Sequence, residues 1–415
     1  MVDVDYEALV QKDRVHRLVY MDQTIFDEEM KKIFEKVWVF VGHESEVASP
    51  GDYKTTTIGN QPIIMARDQR GSVQLLFNRC THRGAVVCRE EKGNSKRFRC
   101  LYHGWTFTNS GELLGVPYVD GYGEGFDPSC LSLVQVPRVE SYRGFVFGSL
   151  NHQIESLDQY LGLAKYYIDL ITDRSPTGEI EVTQGVQKYA FKANWKLQLE
   201  NFVDSYHPSF THEATFERRS YRLGKPIEGR GDKGGENVYL GNGHSMIDYS
   251  AAEGGPRPID ARLEEEYVDA LRNKYDPAYF DKVLNKSNMN LAIFPNLLFQ
   301  SSRQHFRVIR PVRADYTEIY AYPYRLKGAP DEQNNREVRL VATWAGPAGL
   351  GQPDDIEAFE RVHEGLKASQ VEWVLFHRGS HRERIGENGE IRGLGADEVS
   401  QRGQHQEYKR LMLEP

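Results

Sequence analysis

The chain has 415 residues, a formal net charge of −8, and 39% hydrophobic and 11% aromatic residues. That length suggests two or three domains with ample core, and the acidic balance argues against a nucleic-acid protein or a basic membrane-surface protein. No apolar run approaches the roughly 18 residues a membrane span needs, and the acidic start Met1-Val2-Asp3-Val4-Asp5 is no secretory signal, so the reading is a soluble cytoplasmic protein.

In chain order, residues 24–37 read as an amphipathic helix with Met30, Ile33, Phe34 and Val37 on one stripe. The period then changes. Residues 38–41, 53–58, 62–66 and 73–77 read as strands, with Gly51-Asp52, Gly59-Asn60 and Asp68-Gln69-Arg70-Gly71 as turns. Further strands are predicted at 97–100, 105–108 and 143–149, giving a small all-β domain. Ser156 caps a helix through about Ile171. Beyond it, strands at 179–192, 289–301, 304–313, 316–326 and 337–345 alternate with helices at 194–207, 261–274 and 354–376. That order suggests an α+β domain on an antiparallel sheet. Seven Gly between Gly224 and Gly243 make 222–245 a loop or lid.

Four cysteines (Cys80, Cys88, Cys100 and Cys130) are too few for a disulfide framework in a chain of this length. Cys80-Thr81-His82 and Cys100-Leu101-Tyr102-His103 form C-x-H, seventeen residues, C-x-x-H. Two thiolates and two imidazoles suit one zinc. They also suit a Rieske [2Fe–2S] centre, with Cys on one iron and His on the other. Each half continues with Gly (Gly84, Gly104), which lets backbone N–H groups turn towards bridging sulfides, and each half mixes Cys with His where a zinc ribbon repeats C-x-x-C. Cys88 has the wrong spacing to ligate and reads as packing; Cys130 reads as a buried thiol.

A second pattern lies at Glu200-Asn201-Phe202-Val203-Asp204-Ser205-Tyr206-His207-Pro208-Ser209-Phe210-Thr211-His212. On a helix, Glu200, Asp204 and His207 share one face, Pro208 ends the helix, and His212 returns to meet His207. Two His and a carboxylate form the facial set that binds Fe(II) and leaves positions open.

With Asn78-Arg79-Cys80-Thr81-His82-Arg83-Gly84-Ala85 and Phe98-Arg99-Cys100-Leu101-Tyr102-His103-Gly104-Trp105, the chain resembles the large (α) subunit of Rieske non-haem iron ring-hydroxylating oxygenases. The resemblance continues through Glu200-Asn201-x-x-Asp204-x-x-His207-x4-His212 and Asp354-Asp355. It implies an α+β protein with a helix in 1–39 packing on the catalytic domain, an all-β Rieske [2Fe–2S] domain at 40–152, and a catalytic domain at 153–415 whose antiparallel sheet is surrounded by helices. It assigns the cluster to Cys80, His82, Cys100 and His103, and the mononuclear Fe(II) to His207, His212 and Asp355, with Asp354 as the alternative third ligand and helix cap. Asp204 then links His103 of one subunit to His207 of the next, and Glu200 and Asn201 face the same cavity. Ala85 and Tyr102 stand where respiratory Rieske proteins clip their loops with Cys, and Trp105 and Phe107 replace their hydroxyl donors, which implies a low-potential cluster.

The implied activity is that of a terminal oxygenase: a reductase, with or without a ferredoxin, passes NAD(P)H electrons to the cluster, and O2 is activated beside an aromatic ring that is hydroxylated or dihydroxylated. The implied assembly is a homotrimer of α, with or without a small β subunit. Leu291–Phe299 reads as an apolar wall, and Arg303, Arg307 and Arg310 on the next strand point to the branch acting on aromatic acids such as terephthalate, salicylate and anthranilate. The alternatives are a Rieske monooxygenase or demethylase and, from another class, a plain electron carrier. The His/His/Asp set beyond the first motif argues against the carrier.

Overall fold

The computed structural model describes residues 4–223, 235–249, 264–285 and 288–414. By internal contact the chain separates into Phe34–Leu157 and a discontinuous unit of Met1–Ile33 with Asp158–Pro415.

Phe34–Leu157 is built from three small antiparallel sheets. Val73–Phe77, Gln61–Arg67, Asp52–Ile58 and Lys92–Asn94 make four strands; Arg97–Arg99, Thr106–Thr108 and Leu113–Gly115 make three; Arg138–Tyr142, Phe145–Ser149 and Val39–His43 make three more. Ile64, Leu76, Phe98, Trp105, Phe107 and Leu133 form one buried cluster that also takes in Cys80 and Cys100. The two thiols therefore sit at the edge of a packed apolar core, on loops springing from short strands. Lys92–Asn94, Leu113–Gly115 and Arg138–Tyr142 were not read as strands because they are short or lack apolar alternation.

The other unit carries a nine-stranded antiparallel sheet. Its order is Gln187–Phe191, Tyr316–Pro323, His305–Arg313, Leu297–Gln300, Met289–Ile293, His244–Asp248, Glu236–Gly241, Ile391–Leu394 and Arg384–Ile385. Helix Trp195–Phe202 packs on its middle strands, and helix Gln352–Gly365 packs on Trp195–Phe202 and on Gln187–Phe191. The N-terminal segment is fixed from within: Glu29, fully buried, accepts hydrogen bonds from Trp195 Nε1 (2.8 Å), Lys196 Nζ (2.5 Å) and Tyr408 OH (2.9 Å).

Several sequence expectations need correction. The helix at 24–37 begins at Gln23, capped by Asp22, and passes into a π-helical turn, Met30–Phe34. The helix through Ile171 is two, Leu157–Leu161 and Ala164–Thr172, broken at Gly162 with φ +46°. Residues 179–192 give two short strands, Ile180–Glu181 and Gln187–Phe191. Residues 289–301 fold back as a hairpin, Met289–Ile293 with Leu297–Gln300, because Pro295-Asn296 makes a turn. The strand expected at 337–345 lies in helix Asp331–Ala345, whose buried Asn334, Val341 and Ala345 recur at a helical period. The helix expected at 354–376 stops at Gly365, and Trp373–Leu375 pairs as a strand with Arg14–His16. Within 222–245, Glu236–Gly241 and His244–Asp248 form a hairpin in the sheet; residues 224–234 lie outside the described ones. Helix Glu265–Lys274 stands where 261–274 was read, with 261–263 likewise outside. The C-terminal helix Val399–Leu413, buried along most of its length, was not anticipated because its sequence is largely polar.

Candidate metal centres

The two Cys/His loops have the same backbone. In the first, Cys80 N donates to Ala85 O (2.8 Å) and Gly84 N to Cys80 O (3.0 Å); in the second, Cys100 N donates to Trp105 O (2.8 Å) and Gly104 N to Cys100 O (3.0 Å). Gly84 and Gly104 have φ +78° and +72°, a conformation that strains any residue with a Cβ. Each loop is thus a tight knuckle closed on itself, its Cys buried and its His on the rim. The backbone N–H groups of His82 and Arg83 point at the Cys80 sulfur, and Cys100 lies within hydrogen-bonding reach of it. The His82 and His103 rings are 4.6 Å apart between centroids.

That pairing bears on the zinc alternative. One zinc draws all four ligand atoms to a single point. Here Cys meets Cys and His meets His, and the four do not fall together as a single-ion group among the described residues. One pair per iron is the arrangement of a Rieske cluster. His82 Nδ1 is buried without a hydrogen-bond partner, as an imidazole nitrogen reserved for a metal would be, while its Nε2 faces Tyr122 OH at 3.5 Å. Trp105 stacks on His82 (4.8 Å, 4° between planes) and excludes water from that side. Cys88 is buried, and burial pushes its thiol up to about 12; Asn78 holds its backbone through Cys88 N (2.8 Å) and O (2.7 Å). Cys130, expected to be buried, is exposed in a short 3-10 turn, Pro128–Cys130, that leaves its side chain outside the core.

The second site is assembled differently from expectation. The helix carrying Asn201 ends at Phe202, so Asp204 and His207 lie beyond it and not on one face with Glu200. Pro208 begins a helix where it was read as ending one: Pro208–Thr211 starts with Pro at its first position, where the missing N–H costs nothing. The intervening turn is closed by Asp204, whose Oδ1 accepts from Tyr206 N at 2.6 Å. This break brings His207, His212 and Asp355 together, with one ligand atom from each, all within 4.8 Å of one another. Asp355 Oδ1 is 3.6 Å from His207 Nε2 and 3.3 Å from His212 Nε2. Among the described residues it is the one grouping able to share a single ion.

The outer nitrogens are also placed. His212 Nδ1 is 3.1 Å from Asp354 Oδ2, which holds the proton there and turns the Nε2 lone pair to the shared point. His207 Nδ1 is 3.3 Å from Asp204 Oδ2 but off the line of a hydrogen bond. Asn201 Nδ2 reaches His207 Nε2 (3.2 Å) and Asp355 Oδ1 (3.4 Å), so the amide sits at the same point. Burial disfavours charge on Asp355, yet the hydrogen bond with His212 and the charges of His207, His212 and Arg307 hold its carboxyl below the usual range. Burial also opposes charge on His212, and Asp355 and Asp354 outweigh it, raising its pKa. Two imidazoles and one anionic carboxylate suit a divalent iron, which would displace any proton from the ligating nitrogens.

Glu200 is not part of this group. Its Oε1 takes hydrogen bonds from Tyr20 OH (2.8 Å) and His405 Nε2 (3.0 Å), tying the helix to the N- and C-terminal segments. Trp344, hidden by the mistaken strand at 337–345, meets the His212 ring at 5.4 Å. Of the three arginines, Arg310 pairs with Tyr320 and Glu318 at the surface, Arg303 stacks on Trp344 (4.3 Å), and only Arg307 is buried, 4% exposed.

These two centres agree with what relatives of the chain show. Residues 37–142 match the Rieske [2Fe-2S] domain and residues 157–414 the ring hydroxylating alpha subunit (catalytic domain). The chain is 37% identical over 397 residues to the 2-halobenzoate 1,2-dioxygenase large subunit of Burkholderia cepacia, covering 92% of this chain and 83% of that one. It is 34% identical over 428 residues to the anthranilate 1,2-dioxygenase large subunit of Acinetobacter baylyi, covering 97% and 90%. It superposes on naphthalene 1,2-dioxygenase with indole in the active site at a TM-score of 0.87 and 29% identity, covering 99% and 95%. A paired-ligand cluster in one unit and a facial iron triad in the other are the two centres an oxygenase of this kind needs, and the chain belongs to the α subunits of Rieske aromatic ring-hydroxylating dioxygenases, which carry a [2Fe–2S] cluster and a mononuclear iron.

Proposed function

We propose that the chain hydroxylates an aromatic carboxylate, with Arg307 as the counter-ion of the substrate. The observation that carries this is a buried cation with no carboxylate at ion-pair distance among the described residues, its nearest charged partner being the iron-triad carboxylate Asp355. Arg307 makes no ion pair among the described residues; its Nε donates to His305 Nε2 (3.3 Å), its guanidinium also donates to the Tyr189 hydroxyl oxygen, and it lies 5.2 Å over the Phe202 ring. An unpaired buried guanidinium costs several kcal/mol, which an anionic ligand offsets. Its charge is felt at Asp355, so the ligand is held beside the iron triad. The likeness to large subunits named for 2-halobenzoate and anthranilate supports the same class.

In this reading Cys80, His82, Cys100 and His103 hold the cluster, and His207, His212 and Asp355 the iron. When bound, the cluster supplies electrons and the iron activates oxygen. The protein's own residues do the rest. Asp354 orients His212, Asn201 holds the open side of the triad, and Arg307 fixes the ring by its carboxylate over Phe202. Asp204 is the outward carboxylate, its side chain 29% exposed. It is flanked by Tyr206 at 43% and Phe210 at 69%, while the cluster loop presents Leu101 at 70% and Tyr102 at 55%. These are faces for a head-to-tail trimer of α in which His103 of one copy meets Asp204 of the next. A reductase and a ferredoxin in the cytoplasm feed the cluster, and the native mass tells α3 from α3β3.

The test is product identification with reductase and O2. Benzoates should be oxidised, and Arg307→Met should lower kcat/KM on them by about a hundredfold. Equal turnover of a neutral hydrocarbon by wild type and Arg307→Met, with no turnover of benzoates, would falsify the carboxylate assignment.

A further inference from the structure

Helix Trp195–Phe202 stops short of His207, so the carbonyls of its last turn have no further turn to bond them. Three side-chain amides take them instead. Gln401 Nε2 donates to Glu200 O (3.0 Å) and reaches Val203 O (3.5 Å). Asn290 Nδ2 donates to Phe202 O (3.0 Å), and Asn237 Nδ2 to Val203 O (3.0 Å). The three come from separate elements: the C-terminal helix Val399–Leu413, strand Met289–Ile293 and strand Glu236–Gly241. Asn201 O, the fourth carbonyl of 200–203, accepts from Asp204 N (3.2 Å).

The direction of each amide is fixed. Asn237 is fully buried, and its Oδ1 accepts from Ser400 N (2.9 Å) and Ser400 Oγ, which turns Nδ2 to Val203 O. Gln401 is buried too, and reversing its amide would set its oxygen against two carbonyl oxygens. Gln401 Oε1 and Asn290 Oδ1 are buried with no hydrogen-bond partner among the described residues. An amide satisfied for its own sake in a core uses both ends. Here only the donors are used, and they all go to the end of the iron helix.

We propose that Gln401, Asn290 and Asn237 are positioning residues for the iron, setting His207 and Asn201 against Asp355 through the backbone they hold. The inference rests on His207, His212 and Asp355 as the iron ligands. Asn201 lies between the held carbonyls of Glu200 and Phe202, and its Nδ2 is 3.2 Å from His207 Nε2 and 3.4 Å from Asp355 Oδ1. His207 follows Val203 by four residues, while Asp355 belongs to another helix, Gln352–Gly365. Their 3.6 Å separation therefore depends on where the backbone at Val203 is held. A buried carbonyl that loses its donor costs free energy, and the chain shifts to recover one.

Iron binding and spectroscopy, without turnover, test this. Gln401→Met keeps the length of the side chain and removes its donors. Full-length protein carrying the cluster is titrated with ferrous iron, and nitric oxide is then added as an EPR probe of the iron. The control is Ser175→Ala, which removes an equally buried hydrogen bond, Ser175 Oγ to Lys327 O (2.7 Å), in the same unit. Gln401→Met should weaken iron about tenfold, the low end for residues that orient ligands, and should shift or broaden the nitric oxide signal. Ser175→Ala should lower the melting temperature and leave iron affinity and signal as in the wild type. Unchanged affinity and signal in Gln401→Met overturn the inference, and so does an equal loss in Ser175→Ala, which would mark general destabilisation. If Gln401→Met fails to fold, Asn290→Leu, which frees Phe202 O from a different element, decides by the same two readings. Wild-type protein that takes up no iron beyond the cluster removes the triad itself, and with it anything for the amides to position.

Discussion

The two metal centres are built in opposite ways. The cluster site is local: two knuckles seventeen residues apart, each closed by the same pair of backbone hydrogen bonds and each turned by a glycine with positive φ. The iron site is assembled over distance. His212 and Asp355 are 143 residues apart, and the triad exists only because the helix before His207 stops at Phe202. A site made of self-contained loops needs little from the rest of the fold, whereas one made at the junction of helix ends depends on all of them. The nearby helix is accordingly fixed from behind by Glu29, Tyr20 and His405.

If that contrast holds, removing a ligand should be a local event in one unit and a wider one in the other. His212→Ala or Asp355→Ala should abolish turnover and lower iron from about three to about two atoms per chain, with the visible cluster spectrum kept. Asp354→Ala should be milder, weakening iron by about ten- to a hundredfold, because it orients His212 and is 41% exposed. Metal analysis and absorbance of the purified variants check both. Loss of the cluster signal in Asp355→Ala would break the separation between the centres.

Asp204→Asn sharpens the comparison at the residue through which the proposed trimer would link the centres. The amide keeps the turn, since its carbonyl still accepts from Tyr206 N, but loses the charge offered outward and to His207. Both metals should stay bound and the cluster should still reduce, while turnover falls about a hundredfold. Single-turnover kinetics with a pre-reduced cluster would register it; unchanged rates would mean electrons leave by another route.

How far each site could be read from the sequence follows the same divide. Cys80, His82, Cys100 and His103 were legible because spacing alone sets the knuckles. The strands around them were legible too, since short apolar runs such as Ile63–Ala66 and Leu75–Phe77, bounded by turn residues, are a local signal. The triad residues were legible as residue types, but the geometry was not. Pro208 reads equally well as the end or the start of a helix, and only the Asp204–Tyr206 turn decides. Helix Asp331–Ala345 was mistaken for a strand because Val338, Val341, Thr343 and Trp344 favour strands; tertiary packing overrode that short-range preference. Arg307 was visible as one of three arginines, and nothing short of burial and register singles it out.

Acid should test both units alike. Burial holds the pKa of His43, in the cluster unit, and of His244, in the catalytic unit, down to about 4. Each ring accepts a backbone N–H at Nδ1, from Ser45 (3.2 Å) and Phe294 (3.0 Å). With a folded pKa below the unfolded value of about 6.5, each neutral ring favours folding above that pH. The contribution is lost as pH falls from 6.5 towards 4, to a limit of about 3 kcal/mol per histidine. Thermal melts from pH 7.5 to 4.5 should fall throughout this window. His244→Gln should flatten the fall for the catalytic unit more than for the cluster absorbance, and an unaltered pH dependence would remove His244 from the account.

The smallest effect expected is at Cys88, which lies between the two knuckles in sequence and closes the question of a third thiol ligand. Burial raises its thiol to about 12 and raises the Cys80 thiol as well, so what sets Cys88 apart is its place outside the two closed knuckles. Its backbone is held by Asn78, which accepts from Val87 N (3.0 Å) and Cys88 N (2.8 Å) and donates to Cys88 O (2.7 Å), so the side chain has only to fill space. Serine is smaller and brings a hydroxyl into that apolar site without a fixed partner, at a cost of about 1–3 kcal/mol. Cys88→Ser should therefore lower the melting temperature of the cluster unit by several degrees and leave the EPR spectrum and reduction potential of the cluster unchanged. A changed g-tensor in that variant would make Cys88 a ligand, and the knuckles would then no longer be the self-contained half of the molecule.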